Sequence, residues 1–389
     1  MNKIIFPLFL ILLYSCHPIP DSRNKINYQN IPNHSGRVND IFSKIILDSF
    51  FIYMGGDYLT SMEGDFFIQK DTIYFGDQQL ASIFMYDTAG HFLSSRIKRG
   101  KGPEEIFGLH TMTPLPEGYA IMDQQWNIYF FDRQWNKENQ YRINWQTQKS
   151  YKVLLDNPDP NERAIYEVEY TKNNLRPLGG KYLIFPIVTE HKRYNSYGGE
   201  NARHFYENSY TIAIMDQENG NIARMCCNYS PIYSHYKYLP NFKYVFFDTF
   251  KDTLLYSFEV DTLIYKMSIN DTIPNVSFGI AAQGLNTKYT ETRDFKEADE
   301  NFATDRKTFG YYDYLKYIPQ QQILFRGFYT GEPSQKYGIQ IYQNLLLIAE
   351  IIMPDNFKVF GYSAPYYYAT GKPDYNNDRM KIYRFKLNL

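Results

Sequence analysis

A recurring unit of short apolar strands, each stopped by an aspartate, constrains this chain more than any other feature. Thr72-Ile73-Tyr74-Phe75-Gly76-Asp77 is followed by a polar gap, then Ile83-Phe84-Met85-Tyr86-Asp87, then Gly90-His91-Phe92-Leu93. The same order returns in Gly118-Tyr119-Ala120-Ile121-Met122-Asp123 and Ile128-Tyr129-Phe130-Phe131-Asp132. Looser copies run through 210–216, with a turn at Glu218-Asn219-Gly220, and through 252–258 and 261–267. Late strands follow at 323–326, 338–342 and 380–387. Strands of about five to seven residues broken by Asp, Asn and Gly fit an all-β sandwich, barrel or propeller. Similar neighbouring units favour radial repetition, which also shields the sheet edges, so the expected fold is a β-propeller.

Composition agrees, because 38 Tyr and 29 Phe suit strands with half-wet faces. Helical periodicity is weak, and 290–302 is expected to form no more than a turn of helix in a loop. At about 40–45 residues per blade the chain could supply eight blades. Two polar stretches, 188–208 and 276–308, read as insertions and bring the expected number to six, with seven next. The expected organisation is a signal peptide over 1–15, a lipidated tether over 16–36 and a propeller over 37–389.

The stretch Arg96-Ile97-Lys98-Arg99-Gly100-Lys101-Gly102-Pro103-Glu104-Glu105-Ile106 resembles the G-x-G-P-x-E turn after the first blade of six-bladed, TolB/NHL-like propeller lipoproteins of Bacteroidetes. Glu104 stands where those families often carry a further Gly. The segments Leu255–Phe258, Asp261, Ile264-Tyr265 and 314–326 also resemble an uncharacterised family of such lipoproteins. The resemblance implies a propeller and an exported, lipid-anchored protein, and no activity. Gly100, Gly102 and Pro103 are read as an inter-blade turn in which Gly supplies φ > 0 and Pro fixes φ. The turn lacks the Gly-Lys-Ser/Thr ending of a phosphate-binding loop.

The N-terminus supplies an address. After Lys3, an apolar run from Ile4 to Leu13 is broken only by Pro7. Ten helical residues rise about 15 Å, half of a bilayer core, which suits a signal peptide and not a span. Leu13-Tyr14-Ser15-Cys16 resembles a lipobox, so Cys16 is the expected lipidation site and the membrane an expected partner, with an ordinary secretory signal as the alternative. The polar residues after Cys16 read as a flexible tether. Only Asp21 among the first residues after Cys16 is acidic, which favours the periplasmic side of the envelope over the cell exterior.

Chemistry is sparsely marked. Charge is balanced, with 41 basic and 42 acidic residues, and gives no single-sign field to draw nucleic acid. Seven scattered His form no zinc signature, and no metal or cofactor is expected. Cys226 and Cys227 are neighbours whose side chains would point to opposite faces of a strand. Asp77, Asp87, Asp123 and Asp132 recur at strand ends, where Asp bonds its own backbone. Thr72, Thr88, Thr253, Thr262 and Thr272 each follow an Asp in a pattern that resembles an O-glycosylation acceptor of exported Bacteroidetes proteins. The alternative is that Asp closes a turn and Thr opens a strand. Tyr194, Tyr197, Tyr206 and Tyr210 lie in a stretch rich in Tyr, Asn and Gly and are the expected contact surface for an envelope protein or glycan. The expected function is therefore binding or scaffolding, the alternative being a glycan- or peptide-active enzyme with paired channel carboxylates.

Replacing Cys16 by Ala tests the address. The unaltered chain should sediment with membranes and take up labelled fatty acid, and Cys16→Ala should do neither. An ordinary secretory signal would leave both forms soluble and unlabelled.

Overall fold

Among the described residues the strands form six antiparallel sheets, five of them four-stranded and one with an added short strand. The computed structural model describes residues 27–38, 45, 47–53 and 60–387, except 103, 190, 198 and 237. Blades I and II are built from 64–96 and 111–142, and blade III from Arg176–Leu178, Tyr182–Val188, Tyr210–Asp216 and Ile222–Asn228. Glu167–Val168 pairs with the far end of Tyr182–Val188 as the added strand. Blades IV and V span 245–278 and 311–353. Blade VI takes Lys358–Ser363, Tyr366–Asp374 and Arg379–Phe385 from the end of the chain and Leu47–Tyr53 from its beginning.

The first strand of each blade packs against the first strands of both neighbours, from Gly64–Gln69 through Thr111–Pro114, Arg176–Leu178, Val245–Phe250 and Tyr311–Ile318 to Lys358–Ser363 and back. A six-bladed propeller closes around a channel lined by these inner strands. Second strands are pressed between blades on both faces, which is why Thr72–Asp77 is buried from its second residue onward. The repeated aspartates close turns. Asp87, Asp123 and Asp132 each accept backbone N–H bonds from residues two and four positions on, at 2.8–2.9 Å.

The helices depart from the expected loops. Four α-helices occur among the described residues: α1 Tyr151–Asp156, α2 Gly199–Asn208, α3 Ile232–Tyr236 and α4 Phe295–Thr308. Three join the outer strand of one blade to the inner strand of the next, and α2 joins the second and third strands of blade III. In an antiparallel meander both kinds of connection return to the end where inner strands begin, so all four helices crowd one end of the channel. The expected single turn is instead the 14-residue α4. Asp294 caps it by accepting from the Glu297 N–H at 2.9 Å, while Glu297 accepts from the Arg293 N–H at 3.1 Å. Arg306 pins α4 inward, its guanidinium paired with buried Glu259 and lying over the rings of Tyr311 and Phe242. Burial pulls Glu259 toward its neutral form. The ion pair nonetheless holds, because Arg stays charged and the Tyr244 N–H also donates to Glu259 at 3.0 Å.

The expected tether is corrected over its second half. Residues 27–38 form a strap across the outer edges of blades IV and V. The Ser277 N–H donates to the Pro32 carbonyl at 2.9 Å and the Leu347 N–H to the Gly36 carbonyl at 3.0 Å. Ile31 is buried, and the Tyr28 hydroxyl bonds the Asn228 carbonyl. The strap satisfies backbone groups that an outer sheet edge would otherwise present. The signal peptide and Cys16 lie outside the described residues.

The inter-blade turn is also corrected. Lys98–Arg99 pairs in parallel with Glu105–Ile106, but neither Gly100 nor Gly102 has a positive φ. At Gly100 a Cβ would fall 1.9 Å from the Glu105 carboxylate, which accepts from the Gly102 N–H at 2.7 Å and would have to swing aside. Pro103 lies outside the described residues.

Ring closure rests on Leu47–Tyr53, which pairs along its whole length with Arg379–Phe385. Ile52 and Ile382 are fully buried there. Ile382→Ala should lower unfolding stability by about 2–5 kcal/mol, read from the urea midpoint at unchanged m-value.

Candidate functional site

The channel consists of two cavities end to end. The one at the helix-bearing end holds about 240 Å³ and is bounded by the starts of inner strands, including Gly64, Val245, Asp313 and Lys358. The other, about 220 Å³, is bounded by their ends, including Ile68, Pro114, Pro177 and Gln320. Asp65, Arg176 and Lys316 border both.

A three-residue ion cluster divides them. Asp248 of blade IV accepts from Arg176 of blade III at 2.9 Å and from Lys316 of blade V at 3.2 Å. The backbone N–H groups of Tyr317 and Thr249 add bonds of 2.8 and 3.0 Å. Burial alone would raise the Asp248 pKa; Lys316, Arg176 and these N–H groups together hold it below the usual carboxylate range. Lys316 is itself drawn down by burial. With two cations and two N–H donors on one carboxylate, the charged arrangement governs.

The helix-bearing cavity carries more cation than anion. Lys172, Arg176, Lys316 and Lys358 border it, against Asp65 and Asp313. Asp313 is buried, pairs with Lys358 at 3.1 Å and accepts from the Tyr337 hydroxyl at 3.1 Å. Asp65 accepts from the Met112 N–H at 3.2 Å. Lys172 makes no hydrogen bond or ion pair among the described residues. Its place is fixed by its neighbours: the Thr171 N–H donates to Glu169 at 2.8 Å and the Asn174 amide to the Phe247 carbonyl at 3.0 Å. The Lys172 side chain is exposed to water at the border of the cavity. Its pKa falls, first because nearby protein displaces bulk water and then through repulsion by Lys358. An anion between these two ammonium groups would relieve both effects.

The tyrosines expected to form a contact surface are mostly elsewhere, and that expectation is corrected. Tyr194, Tyr206 and Tyr210 are at most 7% exposed. The Tyr194 hydroxyl accepts from Ser209 at 3.0 Å, that of Tyr206 accepts from the Leu239 N–H at 3.2 Å, and that of Tyr210 donates to Asn161 at 3.0 Å. Helix α2 turns Ala202, Phe205 and Tyr206 inward, where Tyr206 stacks on Tyr233. Tyr197 alone stays partly open, with Lys243 over its ring and Phe295 edge-on to it.

Thr72, Thr88, Thr253, Thr262 and Thr272 are all half-buried, and Thr72 and Thr253 are the first residues of strands. Among the described residues, no group of three or more His, Cys, Asp or Glu could hold a metal ion. None of Lys172, Arg176, Lys316 and Lys358 was singled out in the sequence, because a lone Lys or Arg in a polar loop or at a strand end looks like a solvated surface charge.

No family model and no curated protein matches the chain. Solved structures do. A member of the DUF4221 family from Bacteroides vulgatus superposes with a TM-score of 0.64 at 12% identity, covering 88% of this chain and 98% of its own. A protein from Bacteroides fragilis described as exported gives 0.51 at 13% identity, covering 91% and 98%. At such identities the likeness concerns the fold alone: this chain has the fold of a β-propeller group found in Bacteroides, as the resemblance in its sequence led one to expect.

Proposed function

We propose that this propeller is a binding module of the bacterial cell envelope, engaging a protein or glycan through an anionic group at the helix-bearing end of its channel. One observation carries the reading: Lys172, with no hydrogen bond or ion pair among the described residues, shares with Lys358 a cavity bordered by four cations and two carboxylates. Such a pair attracts a carboxylate, sulfate or phosphate by charge-assisted hydrogen bonds, which are shorter and stronger than neutral ones. Helices α1 to α4 crowd the same end and supply a wall for the rest of the partner. Catalysis by paired carboxylates gains no comparable support, since Asp248 is held ionised by Arg176 and Lys316 and Asp313 is bound by Lys358 and Tyr337.

The address belongs to the same proposal. A lipid on Cys16 would leave ten residues before Asn27, where the docked strap begins. At about 3.5 Å per extended residue, the edge of blades IV and V would stay within roughly 40 Å of the membrane surface. The strap leaves the propeller at its outer edge, so both channel mouths would remain open to a partner. No helix among the described residues is long and apolar enough to cross a membrane.

Titration calorimetry with an oligogalacturonate, and with its neutral methyl ester as control, tests the reading. The acidic sugar should bind and the ester should not, with affinity falling as salt rises. Lys172→Ala should weaken binding about 10- to 100-fold, the loss of one charge-assisted bond of roughly 1.5–3 kcal/mol. Equal binding of acid and ester, or no effect of Lys172→Ala, would overturn the assignment.

A further inference from the structure

Cys226 and Cys227 lie on the outer strand of blade III, Ile222–Asn228. Regular strand geometry would send their side chains to opposite faces. The structure does otherwise: Cys227 adopts φ +61°, and the two sulfurs lie 3.6 Å apart. The distortion is local. Cys226 pairs with Ile212 and Asn228 with Tyr210 in the ladder, while the Thr211 hydroxyl bonds the Cys227 carbonyl between them. A left-handed conformation at a residue other than glycine is strained, so the surroundings must hold it in place. Its result is a pair of thiols on one side of the strand.

Both thiols are buried, at 1% and 0% exposure. Arg224 lies near enough to favour a thiolate, and the Cys227 thiol donates to Cys226, so negative charge is favoured on Cys226. The strap lies close by. The Tyr28 hydroxyl bonds the carbonyl of Asn228, the residue after Cys227, and lies 3.4 Å from that of Tyr256.

We propose that Cys226 and Cys227 form a redox-active vicinal dithiol, closed to a disulfide by exchange with a small-molecule disulfide and gated by the strap residue Tyr28. The Cys226 thiolate attacks one sulfur of the external disulfide, forms a mixed disulfide and releases one external thiol. The Cys227 thiolate then attacks the Cys226 sulfur and releases the second. Two protons and two electrons pass from the protein to the external disulfide. Closure requires the sulfurs to approach from 3.6 Å to about 2.05 Å. Adjacent Cα atoms are about 3.8 Å apart, below the usual range for a disulfide, so the bond is strained and belongs to the readily reduced, regulatory kind. The assignment stands on the geometry of blade III and not on the channel reading.

Peptide mapping tests it, because tryptic cleavage after Arg224 and Lys237 yields a peptide with both cysteines and no others. Mature protein is incubated with oxidised glutathione, quenched in acid, unfolded, alkylated with iodoacetamide and digested. The 225–237 peptide should emerge unalkylated and about 2 Da lighter than the dithiol, and should regain two alkyl groups after dithiothreitol. Tyr28→Ala should speed closure at least severalfold, and Cys227→Ser should trap glutathione on Cys226. Refolding from urea in the same buffer supplies a second route to the buried pair. Two alkyl groups on this peptide after both treatments would overturn the proposal. Unchanged kinetics in a folded Tyr28→Ala protein would overturn the gating.

Discussion

Everything in this molecule depends on one pairing between residues more than 300 positions apart in the chain. Leu47–Tyr53 completes the blade begun by 358–385, and only then do six blades share a continuous ring of inner strands. Before closure, blade VI lacks its outer strand and the ring is open. Closing so long a loop carries an entropic penalty that grows only logarithmically with length, so a seven-residue ladder and a buried pair such as Ile52 and Ile382 can outweigh it. The strap follows the same logic on a smaller scale, converting the outer edges of blades IV and V from open ladders into partnered ones.

Ring closure also creates the electrostatics of the channel. Inner strands converge, so charges from different blades meet in a confined space where each needs a partner. Blades III, IV and V solve this with Arg176, Asp248 and Lys316, and blades V and VI with Asp313 and Lys358. A buried ion cluster of this kind is weak evidence for stability by itself, because desolvation opposes the attraction. Its stronger role is geometric: misaligned blades would leave Asp248 unpaired in the interior. Lys172 is the member left over: it borders the same cavity, is exposed to water and makes no hydrogen bond or ion pair among the described residues.

The sequence disclosed the strands and their turns, because that information is local. Asp87, Asp123 and Asp132 announced themselves by closing the same turn by the same hydrogen bonds. The inner strands were hidden for physical reasons. Arg176–Leu178 is three residues long, and Val245–Phe250 and Lys358–Ser363 carry polar residues where the channel is wet or charged. No local pattern could show that Lys172 and Lys358, 186 positions apart, share one cavity. Other local signals lie in the helices. Ala202, Phe205 and Tyr206 sit at i, i+3 and i+4, the spacing of a helix with one buried face, which would have placed Tyr206 inside. Asp294 followed by Glu297 is the sequence signature of a helix start, and α4 begins there.

Cys226 and Cys227 follow no local pattern. Alternation along a strand is a rule about regular backbone, and it separates adjacent side chains only while φ stays negative. The left-handed φ at Cys227 cancels it at one residue, and nothing in Met225-Cys226-Cys227-Asn228 signals the change. The cause is tertiary: Thr211 bonds the Cys227 carbonyl, and the Asn228 amide donates to the Ser209 carbonyl at 3.0 Å and to the Asn208 carbonyl at the end of α2 at 3.2 Å. The insertion carrying α2 therefore does more than decorate the channel mouth. It grips Asn228, the residue after the left-handed Cys227, and the Tyr28 hydroxyl bonds the carbonyl of the same Asn228. One residue thus joins the helix-bearing end, the strap and the strand that carries the dithiol.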